Sequence, residues 1–451
     1  MGVFSKRTRW QLLSTLTLCV MSLTHGITLG WFSPTLPLLK CENSPVGRLD
    51  ISELMWIGAM FGFGSLLCNM IICFPLAFFG LKKCMYFVPI PNMIHWILIY
   101  FATKSVYLHM ARLLLGISGG TMMVTFPIFV AEVSDNNVRG TLTSFFMLTL
   151  CSGLTVGFVL VHYISYHVLP CIVIVLPILF FCLLIPFPEP PQDLLKRGRD
   201  EKAAKSFYFY KNLSKDPTQQ NENQAEFIVY RDKVLGGGIK DKVTFSDFYN
   251  KESGKAFALI IVLLVCNQMS GSFAIYNYAS SIFTRLGSRM DPNMCSIYLG
   301  VVQLFGLSSA VVLVDRVGRR WLLMPSLAVM GLAELGVGLL KSFASQDFLI
   351  HHGWVGLTLM CIVAYSSSSG LVALTFVIIV ELLPFRIRAP GISLSMCGLS
   401  LSVFMALMTY PAMLSHHGLH ILMFMSASFC LLGLIVLGIF LPETKGKSLT
   451  H

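Results

Sequence analysis

Three short groups of opposite charges are candidates for ion pairing. Their members are Glu132 and Arg139, then Asp315, Arg319 and Arg320, and finally Glu381, Arg386 and Arg388. In the first and the last group a glutamate precedes an arginine by seven positions. A single exposed ion pair contributes little, but several linked pairs can bias an equilibrium between two conformations. We therefore expect these groups to stabilise one of two conformations; the alternative is that they only mark the topology of the chain.

Long apolar runs separate the charged groups. The 451 residues are 55% hydrophobic and only 12% charged, with a net charge of +11, whereas soluble domains carry about 25% charged residues. Residues 141–188 contain no Asp, Glu, Lys or Arg, and neither do residues 389–442. Because about 20 apolar residues cross a bilayer, each run holds two spans. This pattern excludes a soluble enzyme, a disordered chain and a nucleic-acid-binding domain, and it predicts a polytopic helical membrane protein.

The apolar runs between charge clusters predict twelve spans. Their approximate bounds are 11–35, 54–79, 84–102, 107–131, 141–162, 167–187, 256–284, 294–314, 321–340, 353–380, 389–413 and 419–441. Short segments on the side of the N-terminus carry thirteen Lys and Arg, against six on the opposite side. The positive-inside rule then places both termini in the cytosol. The predicted organisation is an N-terminal half, 1–187, a cytosolic linker with short helices, 188–255, and a C-terminal half, 256–451.

The two predicted halves carry matching sequence features in the same order. The features are Gly80-Leu-Lys82-Lys83 and Gly318-Arg319-Arg320, the two Glu–Arg pairs, and Pro188-Glu189 and Pro442-Glu443. Three ordered matches point to a duplicated six-helix unit. Two such halves around a central site are typical of secondary transporters.

Two residues inside the predicted spans are Asp, Glu, Lys or Arg. Arg112 lies in span four, where a cation is costly and usually faces a cavity or an acidic partner. Glu334 is the only acid in the interior of a predicted span. It is either a proton carrier or a packed, protonated side chain.

Together these segments resemble the sugar porter family of the major facilitator superfamily over essentially the full chain. The matching segments are Arg112-x3-Gly116 through Pro127 to Glu132 and Arg139-Gly140, Asp315-Arg316-Val-Gly318-Arg319-Arg320, Glu381 with Pro384, Arg386 and Arg388, and the closing Pro442-Glu443-Thr444-Lys445-Gly446. The resemblance implies an all-α membrane protein with twelve transmembrane helices in two six-helix halves. Span one, which is Met-rich and contains Trp31-Phe-Ser-Pro34, is most similar to that of insect facilitated trehalose and hexose transporters.

The resemblance also places the solute site on span seven. It implies that Gln268, Asn267 and Asn277 bind the substrate, since an amide both donates to and accepts from a hydroxyl group. Several expected contacts are replaced by other residues: Met147 for a glutamine in span five, Phe273 for an asparagine in span seven, Leu371 and Leu374 in span ten, and Leu399-Ser400 in span eleven. The charged frame looks intact, while the sugar contacts are fewer than the family pattern implies.

The expected function is facilitative transport of a sugar, hexose or trehalose, by alternating access. Thr28 stands where proton-coupled members have an aspartate that partners the span-four arginine, which implies uniport. One alternative is a transporter of another small solute such as a polyol. The other is a membrane sensor that binds sugar without transporting it, which the short terminal tails of about ten residues disfavour.

The remaining expectations concern partners and place. We expect no enzymatic activity and no cofactor. No metal is expected either, because no C-x-x-C pair occurs. The expected setting is the plasma membrane, where the protein acts as a monomer in the lipid bilayer. Its expected partner is a small-molecule sugar, and we expect no binding to nucleic acid.

Overall fold

The computed structural model describes residues 6–213, 220–236, 245–248, 250–384 and 387–443. Every regular element in these ranges is a helix. Ten of the described helices are long and apolar enough to cross a membrane. They are Lys6–Lys40, Ile51–Ile71, Ser105–Val133, Asn137–Tyr163, Lys251–Asn277, Pro292–Val314, Arg319–Phe343, Gly353–Leu382, Pro390–His416 and Leu419–Phe440.

Two further spans are built from shorter helices. Span three consists of Leu81–Phe87 and Pro89–Tyr100, and span six consists of Val168–Val173 and Val175–Leu184. Proline lacks the backbone N–H that continues a helix. Pro89 begins the second helix of span three, and Pro177 lies in the first turn of the second helix of span six. With these two broken spans the predicted count of twelve is confirmed.

Three other spans bend or change helix type. Span two continues as Cys73–Phe79, span seven is divided into Lys251–Met269, Ala274–Asn277 and Ala279–Leu286, and span ten contains a π-helical turn at Ser367–Val372 between Gly353–Ser366 and Ala373–Leu382. Between the halves lie the helices Pro191–Lys196, Asp200–Tyr210, Gln220–Gly236 and Phe245–Phe248. We call the membrane face that carries this segment the linker side, and the opposite face the far side.

The apolar core is shared at the far side and divided at the linker side. On the far side a single buried cluster includes Phe32 and Trp96 of the first half together with Phe283 and Leu407 of the second. On the linker side each half has its own cluster. These surround Phe126, Phe146 and Phe180 in the first half, and Leu263, Leu323 and Ile378 in the second. The two halves are therefore sealed together at the far side and packed separately at the linker side.

Candidate functional site

Span seven breaks at Gly271, between the predicted site residues. Gly271 has φ +85, a conformation that costs other residues but not glycine. A Cβ atom there would collide with the hydroxyl of Tyr410 in span eleven, so the turn is fitted to its neighbour. Gln268 and Asn277 consequently lie on different helices.

Asn267 fixes the end of the first helix of span seven. Its Nδ2 donates to Thr375 Oγ1 at 2.7 Å and to the Leu371 carbonyl at 3.2 Å, both in span ten. Gln268 Nε2 donates to Asn267 Oδ1 at 2.9 Å. Gln268 is only 4% exposed, yet its Oε1 has no hydrogen-bond partner. Because a buried acceptor without a partner is costly, this oxygen is available for a ligand or water.

Two further buried polar atoms without partners lie on spans eight and ten. These are Gln303 Oε1 and Ser367 Oγ. Gln303 lies one turn before Gly306, where a Cβ atom would come within 3.1 Å of the Cβ of Ser368. The hydroxyls of Ser368 and Tyr276 are 3.3 Å apart, which brings span seven to the same place. Spans seven, eight and ten therefore converge on a buried polar region.

Sequence reasoning missed Gln303 and Ser367. A signal was present, because residues 366–369 are four consecutive serines inside an apolar span, and Gln303 is an amide inside another. The π-helical turn that begins at Ser367 is not visible in the sequence. Such turns occur frequently at functional sites.

Asn277 makes different contacts from Gln268. Its Oδ1 accepts a hydrogen bond from the guanidinium of Arg112 at 3.3 Å, across the boundary between the halves. Arg112 is 1% exposed, and the centres of the Phe32 and Phe61 rings lie 4.2 Å and 5.5 Å from its guanidinium carbon. Its Nε donates to the Ile57 carbonyl at 3.4 Å. The cation is thus held by aromatic faces, an amide and a carbonyl.

No carboxylate forms an ion pair with Arg112 in the described part of the chain. The hydroxyl of Thr28 donates to the Thr24 carbonyl of its own helix at 2.8 Å. Glu334 is fully buried in span nine, where Cys430 Sγ donates to its Oε2 at 3.4 Å and its Oε1 has no partner. Glu334 and Arg112 therefore lie in separate environments.

The charged groups at the linker side form a network inside the C-terminal half. Arg319 Nε donates to Glu381 Oε1 at 3.1 Å. The Glu443 carboxylate accepts from the backbone N–H groups of Arg319 and Arg320, at 3.1 Å and 3.2 Å. Spans nine, ten and twelve are thereby joined at their ends, and the carboxylate lies favourably at a helix N-terminus.

The N-terminal half repeats the helix-capping part of this arrangement. Asp193 Oδ2 accepts from the backbone N–H of Leu81 at 3.1 Å, at the start of span three. Gly80 and Gly318, which precede the two capped helices, have φ/ψ of 90/166 and 104/159. The predicted repeat is thus present in the backbone as well as in the sequence. The acid that caps span three is Asp193 of the linker, four residues after the matched Glu189.

Glu132 and Arg139 are not joined to each other. Arg139 donates to the Ser134 carbonyl at 3.4 Å, whereas Glu132 Oε2 is buried without a hydrogen-bond partner. Arg386 and the side chains of Asp315 and Arg388 lie outside the described residues, so the predictions about their pairing stay predictions.

The linker is attached to the N-terminal half by a second charged cluster. Glu226 forms ion pairs with Arg7 and with Lys211, the latter at 2.7 Å. Lys211 also lies 3.7 Å from Asp135, which follows span four. Partial burial raises the pKa of Glu226, but the hydrogen bond and charge of Lys211, and then those of Arg7, hold it below its usual value.

A cavity of about 130 Å³ opens at the far side between spans one, two, seven and eleven. Its lining includes two cations, Lys40 and Arg285, and the ring of Tyr278. The Tyr278 hydroxyl donates to the Leu407 carbonyl at 2.8 Å, and its ring packs against Phe32 with centroids 6.0 Å apart. This cavity is a shallow vestibule over the sealed end of the two halves.

The arrangement has known counterparts among solved structures. The chain is similar to the partially occluded, inward-open xylose transporter XylE from E. coli, with a TM-score of 0.79, 18% identity and 98% and 100% of the two chains covered. It is also similar to a proton:xylose symporter structure bound to 6-bromo-6-deoxy-D-glucose, with a TM-score of 0.77, 18% identity and 98% of each chain covered. The fold is therefore that of a major facilitator transporter.

Sequence comparison gives the family. The profile of the family described as "Sugar (and other) transporter" matches residues 48–451, and the chain belongs to that family. Curated relatives include facilitated trehalose transporters Tret1 from Bombyx mori and Culex quinquefasciatus, each 27% identical. The alignments cover 97% and 99% of this chain, and 85% of each relative.

Proposed function

We propose that the chain moves a sugar, hexose or trehalose, across the membrane by facilitated transport with alternating access. The observation that carries this proposal is Gln268, whose unpartnered buried oxygen is oriented by Asn267 at the break of span seven. A site with buried hydrogen-bonding groups favours hydroxylated solutes, because an apolar solute would leave those groups unpaired. The trehalose transporters among its relatives support the same substrate class.

The proposed mechanism is uniport. In this interpretation Arg112 binds an amide and aromatic rings instead of a titrating carboxylate, so no proton exchange accompanies the movement of the halves. Gln268 and Asn267 contact the solute in this proposal. Asn277, which the resemblance also implied as a substrate-binding residue, contributes through Arg112 in this proposal.

The proposed gating network consists of the charged groups on the linker side. Arg319, Arg320 and Glu381 act together with Glu443 inside one half. Glu132, Arg139, Asp315, Arg386 and Arg388 belong to the same proposal as charges that respond when the halves move. Because linked ion pairs bias a conformational equilibrium, their loss changes transport rate more than solute affinity.

The proposed setting is the plasma membrane, with both termini and the linker, residues 188–255, in the cytosol. The excess of Lys and Arg in short segments on the linker side supports this orientation. The two transporting halves are residues 1–187 and 256–451, and the proposed working unit is the monomer in lipid. No enzymatic activity is part of the proposal.

A radiolabelled uptake panel in cells that lack sugar transport tests the function. Cells expressing the protein are offered hexoses, trehalose and, for comparison, a polyol and an amino acid. Saturable uptake of a hexose or trehalose, reduced by Gln268→Ala at equal surface expression, is the expected result. Uptake of none of the sugars by a surface-expressed protein would contradict the proposal.

A further inference from the structure

The first helix of span seven ends inside the protein, at Met269. Gln268 and Ser270, on either side of this residue, are 4% and 0% exposed. The last four carbonyl groups of a helix have no donor within the helix, and a buried end has little access to water. The carbonyls at this end therefore need donors from elsewhere in the chain.

Three of these carbonyls find donors within span seven. The Ser270 N–H donates to the Cys266 carbonyl at 3.0 Å, and the Ser270 hydroxyl donates to the Asn267 carbonyl at 3.2 Å. The Gly271 N–H donates to the Gln268 carbonyl at 3.1 Å. These bonds stay within one turn of the break in span seven, so they do not attach it to the rest of the fold.

The Met269 carbonyl is bonded from another span. The hydroxyl of Tyr410, in span eleven, donates to it at 3.1 Å. The same hydroxyl is hydrogen-bonded to Ser426 Oγ in span twelve, and because a phenol carries one hydrogen, Ser426 is the donor there. Tyr410 and Ser426 are 1% and 0% exposed. We call these two residues the span-seven brace, since they attach the break to spans eleven and twelve.

The brace acts next to the proposed solute-binding residue. Gln268 directly precedes Met269, and its Oε1 is the buried oxygen that lacks a partner. A side chain that binds a ligand must be held within about 0.5 Å of the productive geometry. Fixing the Met269 carbonyl fixes the last turn of the helix, and with it the direction in which the Gln268 side chain leaves the backbone.

We propose that Tyr410 is a positioning residue for solute binding. Its hydroxyl, oriented by Ser426, holds the break in span seven so that Gln268 Oε1 faces the solute, and Tyr410 itself does not contact the solute. This inference rests on the proposed function, because it takes Gln268 as a ligand of the solute.

The first test measures uptake kinetics in two matched variants. Tyr410→Phe removes the hydroxyl and keeps the ring. Tyr210→Phe is the control, because Tyr210 is also 1% exposed and its hydroxyl donates to the Pro188 carbonyl at 2.7 Å, outside the second half. The KM of sugar uptake is expected to rise about three- to tenfold in Tyr410→Phe, with the maximal rate at matched surface expression little changed. The control should keep the parent's KM.

A double variant distinguishes positioning from general support. If Tyr410 acts through Gln268, Tyr410→Phe should raise KM by less than about twofold in a Gln268→Ala background. The same rise in KM in both backgrounds would show that Tyr410 acts independently of Gln268, and this would contradict the proposal. A lower maximal rate at the parent's KM would contradict it as well.

The second test examines the break directly and does not need transport. Hydrogen–deuterium exchange of peptides that cover residues 264–278 is followed by mass spectrometry in the purified protein. Exchange is expected to rise about three- to tenfold in Tyr410→Phe and Ser426→Ala, because one lost hydrogen bond lets the turn open more often. Unchanged exchange in both variants, or an equal rise in Tyr210→Phe, would overturn the brace.

The two tests separate failure of the brace from failure of the proposed function. If the parent protein moves no sugar, the sugar assignment fails, and exchange alone decides whether Tyr410 holds the break. If Gln268→Ala keeps the parent's KM, the brace does not serve solute binding through Gln268 and the positioning role is wrong, whatever the exchange shows. If Tyr410→Phe is not produced, Ser426→Ala decides in both tests.

Discussion

The guanidinium of Arg112 donates a hydrogen bond to the side-chain oxygen of Asn277, 3.3 Å away and in the other half of the molecule. A cation buried in a membrane span usually has an acidic partner. Here an amide takes that place, supported by the Phe32 ring at 4.2 Å. The central boundary between the halves is therefore held by a contact that does not require a proton to be gained or lost.

Transport should accordingly be independent of the proton gradient. Sugar uptake into cells treated with a protonophore is expected to equal uptake into untreated cells, measured as initial rates. Glu334→Gln should leave this result unchanged, because Glu334 is bonded to Cys430 and not to Arg112. Loss of uptake in protonophore-treated cells would show that transport is coupled to protons. If uptake by the Glu334→Gln variant no longer depended on the protonophore, Glu334 would be identified as the proton carrier.

Asn277→Asp changes the same contact in a defined way. A carboxylate beside Arg112 would form a buried ion pair across the halves. Breaking such a pair is costly, because it leaves a buried charge without a partner. The expected result is a lower maximal rate at neutral pH, with partial recovery at acidic pH as the new acid is protonated. Asn277→Gln, which keeps the amide, is the control. A parent-like pH profile for Asn277→Asp would mean that this contact does not limit the movement of the halves.

Gln268→Ala should weaken the apparent affinity for the best sugar by up to about tenfold, the value of one lost hydrogen bond. Gln303→Ala is the parallel variant on span eight, where another buried oxygen lacks a partner. Concentration series of radiolabelled uptake at matched surface expression measure both effects. A Gln268→Ala protein with the parent's KM and maximal rate would show that this amide only packs between helices.

Glu381→Gln should slow transport more than it weakens binding. The carboxylate accepts from Arg319 at 3.1 Å and so joins spans nine and ten at their ends. Removing its charge leaves the solute site intact but changes the conformational equilibrium. Uptake kinetics and equilibrium sugar binding to purified protein are compared. Equal losses in the two measurements would indicate that Glu381 serves folding instead.

Attachment of the linker should depend on pH through Glu226. Because cations hold the pKa of this carboxyl below its usual value, attachment is stabilised at neutral pH and is lost as pH falls through the lowered pKa. Glu226→Gln should reproduce the detached state at neutral pH. Limited trypsin digestion is expected to cut Gln220–Gly236 faster in this variant than in the parent. Asp232→Asn, which changes an exposed neighbour, serves as the control.

Much of the fold follows from local sequence signals. Each charge-free run was long enough for two membrane spans, and this predicted the pairs of helices found there. The matched glycines at 80 and 318 adopt nearly the same backbone conformation in both halves. Proline explains why span three is broken although its apolar run is continuous. These features depend on residues near one another in the chain, which is why the sequence was sufficient.

The site was less predictable because it depends on contacts between distant spans. Gly271 gave no sign that it would break span seven, since its left-handed conformation is fitted to Tyr410 in span eleven. Asn277 consequently lies on a different helix from Gln268, and it accepts a hydrogen bond from Arg112. Likewise, Arg319 and Glu381 form an ion pair within one half. Their positions in the sequence do not show whether such charges pair within a half or across the two halves.

Counterflow in proteoliposomes tests the central claim, facilitated sugar transport, most directly. Purified protein is reconstituted into vesicles loaded with unlabelled trehalose or hexose, with equal pH on both sides, and labelled sugar is added outside. We expect a transient accumulation of label above its equilibrium level, which requires a carrier that alternates between the two sides and needs no proton gradient. The accumulation should be much smaller with Gln268→Ala. Label that enters no faster than into protein-free vesicles, or only when a proton gradient is imposed, would contradict the claim.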